Sequence, residues 1–450
     1  MKQIKIIAVL FFAISASLIS EEYSLKDCIN FARTNNSSII VAKLDSAKSE
    51  KQVKEQIGTA LPQVDANANF TDNVLMPTTL IPAAMFGGDP NTYIPIKMGT
   101  QYNLTGSVSL TQKIFDNSFW VGLKAAELNN TLSTQTIYKQ EEQTIYNVIS
   151  SYYRAIIIKK QLSNYKEILN VSEKTLKSME IKFENGVVKK IDVDKIKVSY
   201  NKTKSQLEQT KLNYDKSINN LKFAMSMPID SNLDVVDDIS ENFDLIKIEN
   251  LTINDNTLNN RIDYQIQKTL VNLQEAEKDN FKASYLPTLS FFANYNLQAM
   301  RKEFDFFDSE KNWFSNSSIG LKLNIPIFSG FSKQARVEKS EIALEIQKEN
   351  MKNLEQSINV NISNYYIQFK NAMENIQNEK SNLELAQSVF ENTQIEFNQG
   401  KTSSLELTQS ESSLRETQNN YYNKLLELYL AQLDLEKQKG TLNNFINNIK

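Results

Sequence analysis

The sequence predicts a mainly α-helical chain that also supplies strands to a membrane β-barrel. Two observations carry this prediction. Eight prolines leave the stretches 119–227 and 330–450 free of proline, and proline-free stretches can hold long helices because proline breaks helix interiors. Around the prolines, four segments alternate apolar and polar residues, which is typical of strands.

Lone glycines divide the proline-free stretches into helical hairpins. Gly186 and Gly400 can each end one helix and open a turn into the next. The predicted helices are 24–59, 120–185, 189–225, 256–284, 332–399 and 402–439. At 1.5 Å per residue, helix 120–185 would span roughly 100 Å.

One long helix carries a regular apolar stripe. Its members are Leu354, Ile358, Ile362, Tyr365, Phe369, Met373 and Ile376. This spacing has a period of eleven residues, which predicts helices that pack nearly straight. We interpret the stripe as core packing, not as a cofactor site.

The alternating segments predict strands 63–71, 102–111, 288–298 and 318–326. Each is close to the roughly 9 to 11 residues that a tilted membrane-barrel strand needs. Phe292 is the one residue that breaks the alternation of its strand. Pro62, Pro287 and Pro326 mark the junctions between strands and helices. Taken alone, these strands are also compatible with an antiparallel sheet in a soluble domain.

The two halves of the chain repeat each other. Leu61-Pro62 matches Leu286-Pro287, and Ile181–Gly186 matches Ile395–Gly400. The predicted organisation is therefore a first repeat at 21–235 and a second at 236–450, each with a helix, a strand pair and a long helical hairpin. Residues 1–20 have two lysines, an apolar run and small residues, which predicts a signal peptide.

Composition excludes several kinds of function. The net charge is −3, without a strong basic block, which argues against a nucleic-acid partner. The chain contains no His and a single cysteine, Cys28. His-dependent triads, disulfides within the chain and Cys-cluster metal sites are therefore excluded. We expect no enzyme activity, no cofactor and no metal.

Four strands cannot close a membrane barrel, because even the smallest have about eight. An open sheet edge is not tolerated in lipid. The chain must therefore assemble, and three copies would supply 12 strands around a passage.

The order and repetition of these motifs resemble the TolC family of bacterial outer-membrane factors, over essentially the whole mature chain. The resemblance implies a homotrimer with a 12-stranded barrel in the outer-membrane lipid of a Gram-negative-type bacterium, continuing into a periplasmic α-helical barrel. It also implies docking, through a periplasmic adaptor, to an inner-membrane transporter. The implied function is the exit duct of a tripartite efflux pump or a type I secretion system.

The resemblance also implies which residues carry function. The hairpin tips would meet the adaptor, through Gly186, Val187 and Lys189 in the first repeat and Gly400, Lys401 and Ser403 in the second. Glu406 matches an acidic position that lines the closed entrance, and Asp192 is its equivalent in the first repeat. Gln409 stands where the family has a second acid, and Thr402 where it has a basic residue. These departures argue against transfer of the family's gating salt bridges.

Two other classes of protein remain as alternatives. A periplasmic adaptor or coiled-coil scaffold without membrane strands would share the signal peptide and the hairpins. It would not explain two strand pairs at equivalent positions of the repeats. An exported enzyme would have to use the abundant helical carboxylates, which are usually just solvated.

Overall fold

A computed structural model describes residues 21–236 and 255–448 of the chain. The predicted signal peptide, 1–20, lies outside the described residues, and so does the segment 237–254 at the start of the predicted second repeat. The helices are α1 Leu25–Asn35, α2 Ser37–Gly58, α3 Asn117–Glu184, α4 Lys190–Met225, α5 Asp255–Asn260, α6 Ile262–Ala283, α7 Ser332–Asn398, α8 Ser404–Lys439 and α9 Leu442–Asn448. The strands are β1 Glu21–Tyr23, β2 Gln63–Asp72, β3 Thr78–Pro82, β4 Tyr93–Lys97, β5 Tyr102–Phe115, β6 Leu233–Val235, β7 Thr288–Arg301 and β8 Phe314–Asn324.

The chain divides into two compact units. Among the described residues, the helical unit comprises 21–45, 133–236, 255–267 and 350–448, and the sheet unit comprises Ser46–Leu132 and Lys268–Glu349. The described residues are mostly helical, as the sequence predicts.

A break at Asn36 divides the helix predicted at 24–59 into α1 and α2. Asn36 has an extended backbone, with ψ 123°, and its side-chain amide donates to the carbonyl of Ala224 at 3.0 Å. Its amide oxygen accepts from the backbone N–H of Ser38 at 2.9 Å, as a helix N-cap does. This corrects the prediction of one unbroken helix, because the buried Asn36 side chain ends α1 and starts α2.

A second break, at Arg261, divides the helix predicted at 256–284 into α5 and α6. The Arg261 guanidinium donates to the carbonyl of Gln438 at 2.8 Å and to its side-chain oxygen at 2.7 Å. Gly440 ends α8 there, with φ +70°, and a Cβ on it would lie 2.9 Å from the carbonyl oxygen of Asn260. The close approach of two chain segments at Gly440 therefore accompanies the break.

The sheet unit contains a four-stranded antiparallel sheet in the order β2-β5-β7-β8. One cross-strand row joins Val64, Leu110, Ala293 and Ile319. The next row joins Asp65, Ser109, Asn294 and Ser318. Successive residues of a strand point to opposite faces, so the register gives the sheet one apolar face and one polar face.

The strands differ in extent from the segments predicted for them. Strand β8 begins at Phe314, which pairs with Gln298, and ends at Asn324 instead of reaching Pro326. Proline cannot donate to a ladder, so the strand ends before it. Strands β5 and β7 continue to Phe115 and Arg301 and pair with each other, with a register shift between Lys113 and Phe115.

The two inserts at the far ends of the strand pairs are themselves structured. The first contains the antiparallel hairpin β3–β4, with a 3-10 turn at Ala83–Phe86. The second brings Phe304 and Phe306 edge-on to Phe70, with ring centroids 5.7 and 5.9 Å away. These T-shaped ring pairs add stabilisation beyond buried area and hold the second insert against β2.

The helical unit is built around one large apolar cluster. It includes Phe369, Met373 and Ile376 of the predicted stripe. Ile358 and Ile362 of the same stripe are also buried, outside this cluster. The interpretation of the stripe as core packing is thus confirmed for these five. A short parallel pair, β1–β6, which the sequence did not predict, lies beside this cluster.

Gly440 provides a test of the close approach between segments. We expect Gly440→Ala to lower the unfolding temperature of the purified protein more than Gly186→Ala does. Both glycines have φ near +70°, so both variants bear the cost of a left-handed alanine, about 1–3 kcal/mol. Only at Gly440 does the new Cβ also collide with backbone, since nothing lies within 4 Å of a Cβ at Gly186. Thermal unfolding followed by circular dichroism measures both, and equal losses would contradict the steric argument.

Candidate functional site

The first hairpin tip joins α3 to α4 through Gly186. Gly186 has φ +73°, and its backbone N–H donates to the carbonyl of Phe183 at 2.9 Å. The N–H of Val187 donates to the carbonyl of Lys182 at 2.8 Å. These bonds satisfy the last carbonyls of α3, as at many helix ends with a left-handed glycine. Val187 is left 71% exposed at the turn, and Gly186 and Lys189 are exposed as well.

The second tip joins α7 to α8 with the same turn. Gly400 has φ +75° and its N–H donates to the carbonyl of Phe397 at 3.0 Å. The N–H of Lys401 donates to the carbonyl of Glu396 at 2.9 Å. The sequence match between the two tips therefore corresponds to a match in backbone hydrogen bonding.

Glu406 is held by a capping box at the start of α8. Its backbone N–H donates to the Ser403 hydroxyl at 3.3 Å, and its carboxylate accepts from the Ser403 N–H at 3.4 Å. The Thr402 hydroxyl also donates to this carboxylate. The arrangement satisfies N–H groups at the start of α8 and suits the positive end of its dipole. Glu406 is nevertheless exposed, so its charge faces solvent in the single chain.

Asp192 has different contacts from Glu406, although the two were predicted to be equivalent. The carboxylate of Asp192 accepts from the hydroxyl of Ser404 at 2.8 Å, which joins the start of α4 to the start of α8. Lys195 lies 3.9 Å from it on the same helix. Among the predicted constriction residues, the structure brings Thr402 and Glu406 into contact, ties Asp192 to α8 and leaves Gln409 exposed.

The junction prolines lie at the ends of strands. Pro62 directly precedes β2 and Pro287 directly precedes β7, while Pro326 follows β8 by two residues. Near them Lys333 donates to the carbonyl of Ser284 at 2.5 Å, and its ammonium lies 5.7 Å from the centre of the Tyr285 ring. These contacts join the start of α7 to the turn that leads into β7.

The helical unit also contains a buried ion pair that sequence reasoning missed. Glu411 and Arg415, one turn apart on α8, are 5% and 7% exposed and form a salt bridge. The Glu411 carboxylate accepts from Ser172 of α3 at 2.9 Å, and from Ser199 and Thr203 of α4 at 3.2 Å each. We name these five residues the Glu411 cluster.

The Glu411 cluster holds three helices in one register. Removing one partner of a buried pair leaves the other charge uncompensated, which is strongly destabilising. The sequence carries a signal for the cluster, because Glu411 occupies the apolar stripe between the buried Leu407 and Leu414. A charge in that position, four residues from an opposite charge, indicates a buried pair rather than a solvated one.

No group of three or more His, Cys, Asp or Glu side chains in the described part of the chain is placed to hold a metal ion. No helix within 21–236 and 255–448 is both long and apolar enough to cross a membrane.

The comparisons with known proteins define the class. Residues 28–226 and 254–441 match the family described as Outer membrane efflux protein. These ranges make up most of the chain, so the chain belongs to the outer membrane efflux protein family. It is accordingly an outer-membrane exit duct for efflux with a periplasmic extension, in a family of channel proteins rather than enzymes. The TolC-type resemblance of the sequence is thus confirmed.

Solved outer-membrane channels share the fold. The structure of CusC is 14% identical, with a TM-score of 0.73 over 92% of this chain and 91% of that one. The CmeC outer membrane channel of Campylobacter jejuni is 14% identical, with a TM-score of 0.70 over 95% and 89%. The open-state MtrE outer membrane channel of Neisseria gonorrhoeae is 16% identical, with a TM-score of 0.71 over 93% and 89%. No curated protein matches the chain significantly in sequence.

The Glu411 cluster leads to a stability prediction. We expect Glu411→Gln to lower the free energy of unfolding by about 3–5 kcal/mol, because Arg415 is then buried without its counter-charge. Glu416→Gln, at an exposed acid on the same helix, is the matched control and should change it by less than about 0.5 kcal/mol. Denaturant titration of the purified protein measures both variants. If the two variants unfold alike, the Glu411 cluster does not stabilise the helices.

Proposed function

We propose that the chain is the exit duct of a tripartite efflux pump or a type I secretion system and works as a homotrimer. Three sheets would close into a 12-stranded barrel in outer-membrane lipid, and the helices would form an α-helical barrel in the periplasm. The two structural repeats, 21–235 and 236–450, would give each subunit two similar sectors of this duct. The observation that carries the proposal is the sheet with one apolar and one polar face.

The apolar face of the sheet suits hydrocarbon. Its side chains are exposed in the single chain, with Val64 at 63%, Ile319 at 79% and Leu321 at 64%. A membrane barrel points such a face towards lipid and its polar face towards the passage. The polar row of Asp65, Ser109, Asn294 and Ser318 would then line the passage.

The edges of the sheet support assembly. Among the described strands, β2 and β8 each pair along one edge only. Unpaired backbone groups cost several kcal/mol each in hydrocarbon, so both edges need partners there. Pairing of β8 with β2 of the next copy would fill both edges with one kind of contact, as a closed ring of identical subunits requires.

The hairpin tips suit docking to the periplasmic adaptor, and through it to the inner-membrane transporter. Gly186, Val187 and Lys189 are exposed at the first tip, and Gly400, Lys401 and Ser403 at the second. The matched turns present similar backbone, with an apolar Val187 at one tip and a cationic Lys401 at the other. An adaptor would thus bind two turns that have similar backbones but different side chains.

Glu406 is our candidate for the main constriction charge. Three copies would place three carboxylates around one axis, and such a ring attracts cations and repels anions. Exposed Gln409 and partly exposed Thr402 lie on the same stretch and would contribute polar groups without charge. Asp192, tied to Ser404, would fix the position of this stretch against α4.

The alternative, a periplasmic adaptor or scaffold without membrane strands, is not favoured by the family match. It also leaves the exposed apolar face of the sheet without a partner. Topology decides between the two, because the alternative keeps the insert at 73–100 on the periplasmic side.

Cysteine labelling in intact cells tests the topology. We expect Asn91→Cys, exposed in the β3–β4 hairpin, to react with a membrane-impermeant maleimide without permeabilisation. Val187→Cys at the first tip should react only after the outer membrane is permeabilised. The native thiol gives little background, since Cys28 is fully buried and its burial raises its pKa to about 12. Reaction of Asn91→Cys only after permeabilisation, in folded protein, would support the adaptor instead.

Substitution of Glu406 tests the constriction. Glu406→Gln removes the charge but keeps an oxygen for the capping box, since Gln also serves at this position. We expect the reversal potential of the reconstituted trimer in a salt gradient to shift to a value that indicates lower cation selectivity. The loss of stability should be small. Glu406→Ala should cause the same shift and also destabilise the start of α8.

Glu416→Gln is the matched control for the constriction, because it removes an exposed acid from the same helix outside the capping box. Its reversal potential should equal that of the unaltered trimer. If Glu406→Gln also leaves the reversal potential unchanged, the constriction lies at other residues.

A further inference from the structure

The polar face of the sheet carries one row that differs from the others in charge. The register places Lys113 of β5 opposite Ser290 of β7, and Ser290 opposite Lys322 of β8. All three share the polar face. With neighbouring strands about 4.8 Å apart, the two lysine Cα atoms lie about 10 Å from each other.

The rest of this face is almost neutral. Of its positions in the four described strands, the charged ones are Asp65, Lys113 and Lys322, and Asp65 lies four residues along the strands from the lysine row. Lys113 is partly compensated by Asp116, 3.2 Å away. Lys322 is exposed and forms no ion pair with the described residues. The lysine row therefore dominates the charge of the face.

Phe292 lies next to this row and is the residue that breaks the alternation of its strand. It pairs with Thr111 on one side and Gly320 on the other. Its ring covers Gly320, because a Cβ there would lie 2.8 Å from the Phe292 Cζ. Packing of an aromatic ring over a strand glycine accounts for the position of the ring. It leaves an aromatic surface two residues from Ser290, beside the lysines.

We propose that Lys113, Lys322 and Phe292 form a binding belt for organic anions that carry an aromatic group. The inference rests on the proposed function, in which the polar face lines the passage of a trimer. Six lysines and three phenylalanines would then surround one level of the passage. The lysines attract the charge of such an anion and the phenylalanine rings stack against its aromatic part.

Blockage of single channels tests the belt. Purified trimer is inserted in a planar bilayer, its conductance is recorded, and naphthalenetrisulfonate is added on the side of the β3–β4 hairpin. Lys322→Gln removes three of the six lysines of the trimer. We expect it to raise the half-blocking concentration at least about fivefold, which corresponds to the loss of one charge contact at about 4 Å in water. Lys113→Gln should raise it less, because Asp116 already offsets Lys113. Block of the unaltered channel should weaken from 0.1 to 1 M KCl, as screening shortens from about 10 to 3 Å.

The aromatic part of the belt has its own readout. Phe292→Leu should raise the half-blocking concentration of naphthalenetrisulfonate and leave that of citrate, a trivalent anion without a ring, unchanged. An equal rise for both anions would remove Phe292 from the belt and overturn the assignment to aromatic anions.

Two lysine variants are the controls. Lys322→Arg keeps the charge, and Lys97→Gln removes an exposed lysine from β4. Both variants should have the same half-blocking concentration as the unaltered channel. Equal half-blocking concentrations for Lys322→Gln and the unaltered channel would overturn the belt while conductance still supports the proposed function. Folded trimer that conducts no current at all would instead overturn the proposed function, and the belt with it.

Discussion

The cross-strand register of the sheet is the constraint on which the sheet unit depends. A strand that slipped by one residue would send its apolar set to the other face. The observed pairing keeps Val64, Leu110, Ala293 and Ile319 in one row and places polar residues in the next. The long β5–β7 pairing joins strands from the two halves of the chain and so fixes both strand pairs in one sheet. The exposed apolar face, and the edges of β2 and β8 that lack a neighbouring strand among the described residues, are the features that the proposed assembly in lipid would cover.

In the helical unit, a different feature fixes the structure. The helices have similar apolar stripes, and polar contacts determine the register in which they pack. Apolar stripes alone permit neighbouring helices to slide by a turn at modest cost. The Glu411 cluster removes that freedom, because its carboxylate meets hydroxyls of α3 and α4 in only one alignment. Buried polar groups are best attested in proteins as devices of this kind, which specify register. Asn36 and Arg261 likewise use side-chain bonds to set where helices begin and end.

The sequence predicts most of the regular structure, because periodicity records which face of an element is buried. The proline-free stretches became α3, α4, α7 and α8 within a few residues at each end. Local periodicity does not record contacts with residues distant in sequence. The features that the sequence did not predict depend on such contacts. The break at Asn36 depends on the carbonyl of Ala224, and the break at Arg261 depends on Gln438. The β1–β6 pair joins residues about two hundred positions apart through three-residue strands, which are too short to show a pattern.

The same limit applies to the candidate site. The sequence gives the positions of the charged residues, and only the structure shows which charges are already bonded to other groups of the protein. Glu411 stood on an apolar stripe and has all its bonding directed at protein groups, so its charge serves the fold. Glu406 is an intermediate case, because its carboxylate caps α8 while remaining exposed to solvent. Lys322 is at the other end of this scale, since it is exposed and makes no ion pair with the described residues. The charge of Lys322 therefore makes no ion pair that stabilises the described part of the fold. Because Lys322 lies on the face that would line the passage, its ammonium group is free to bind an anion there.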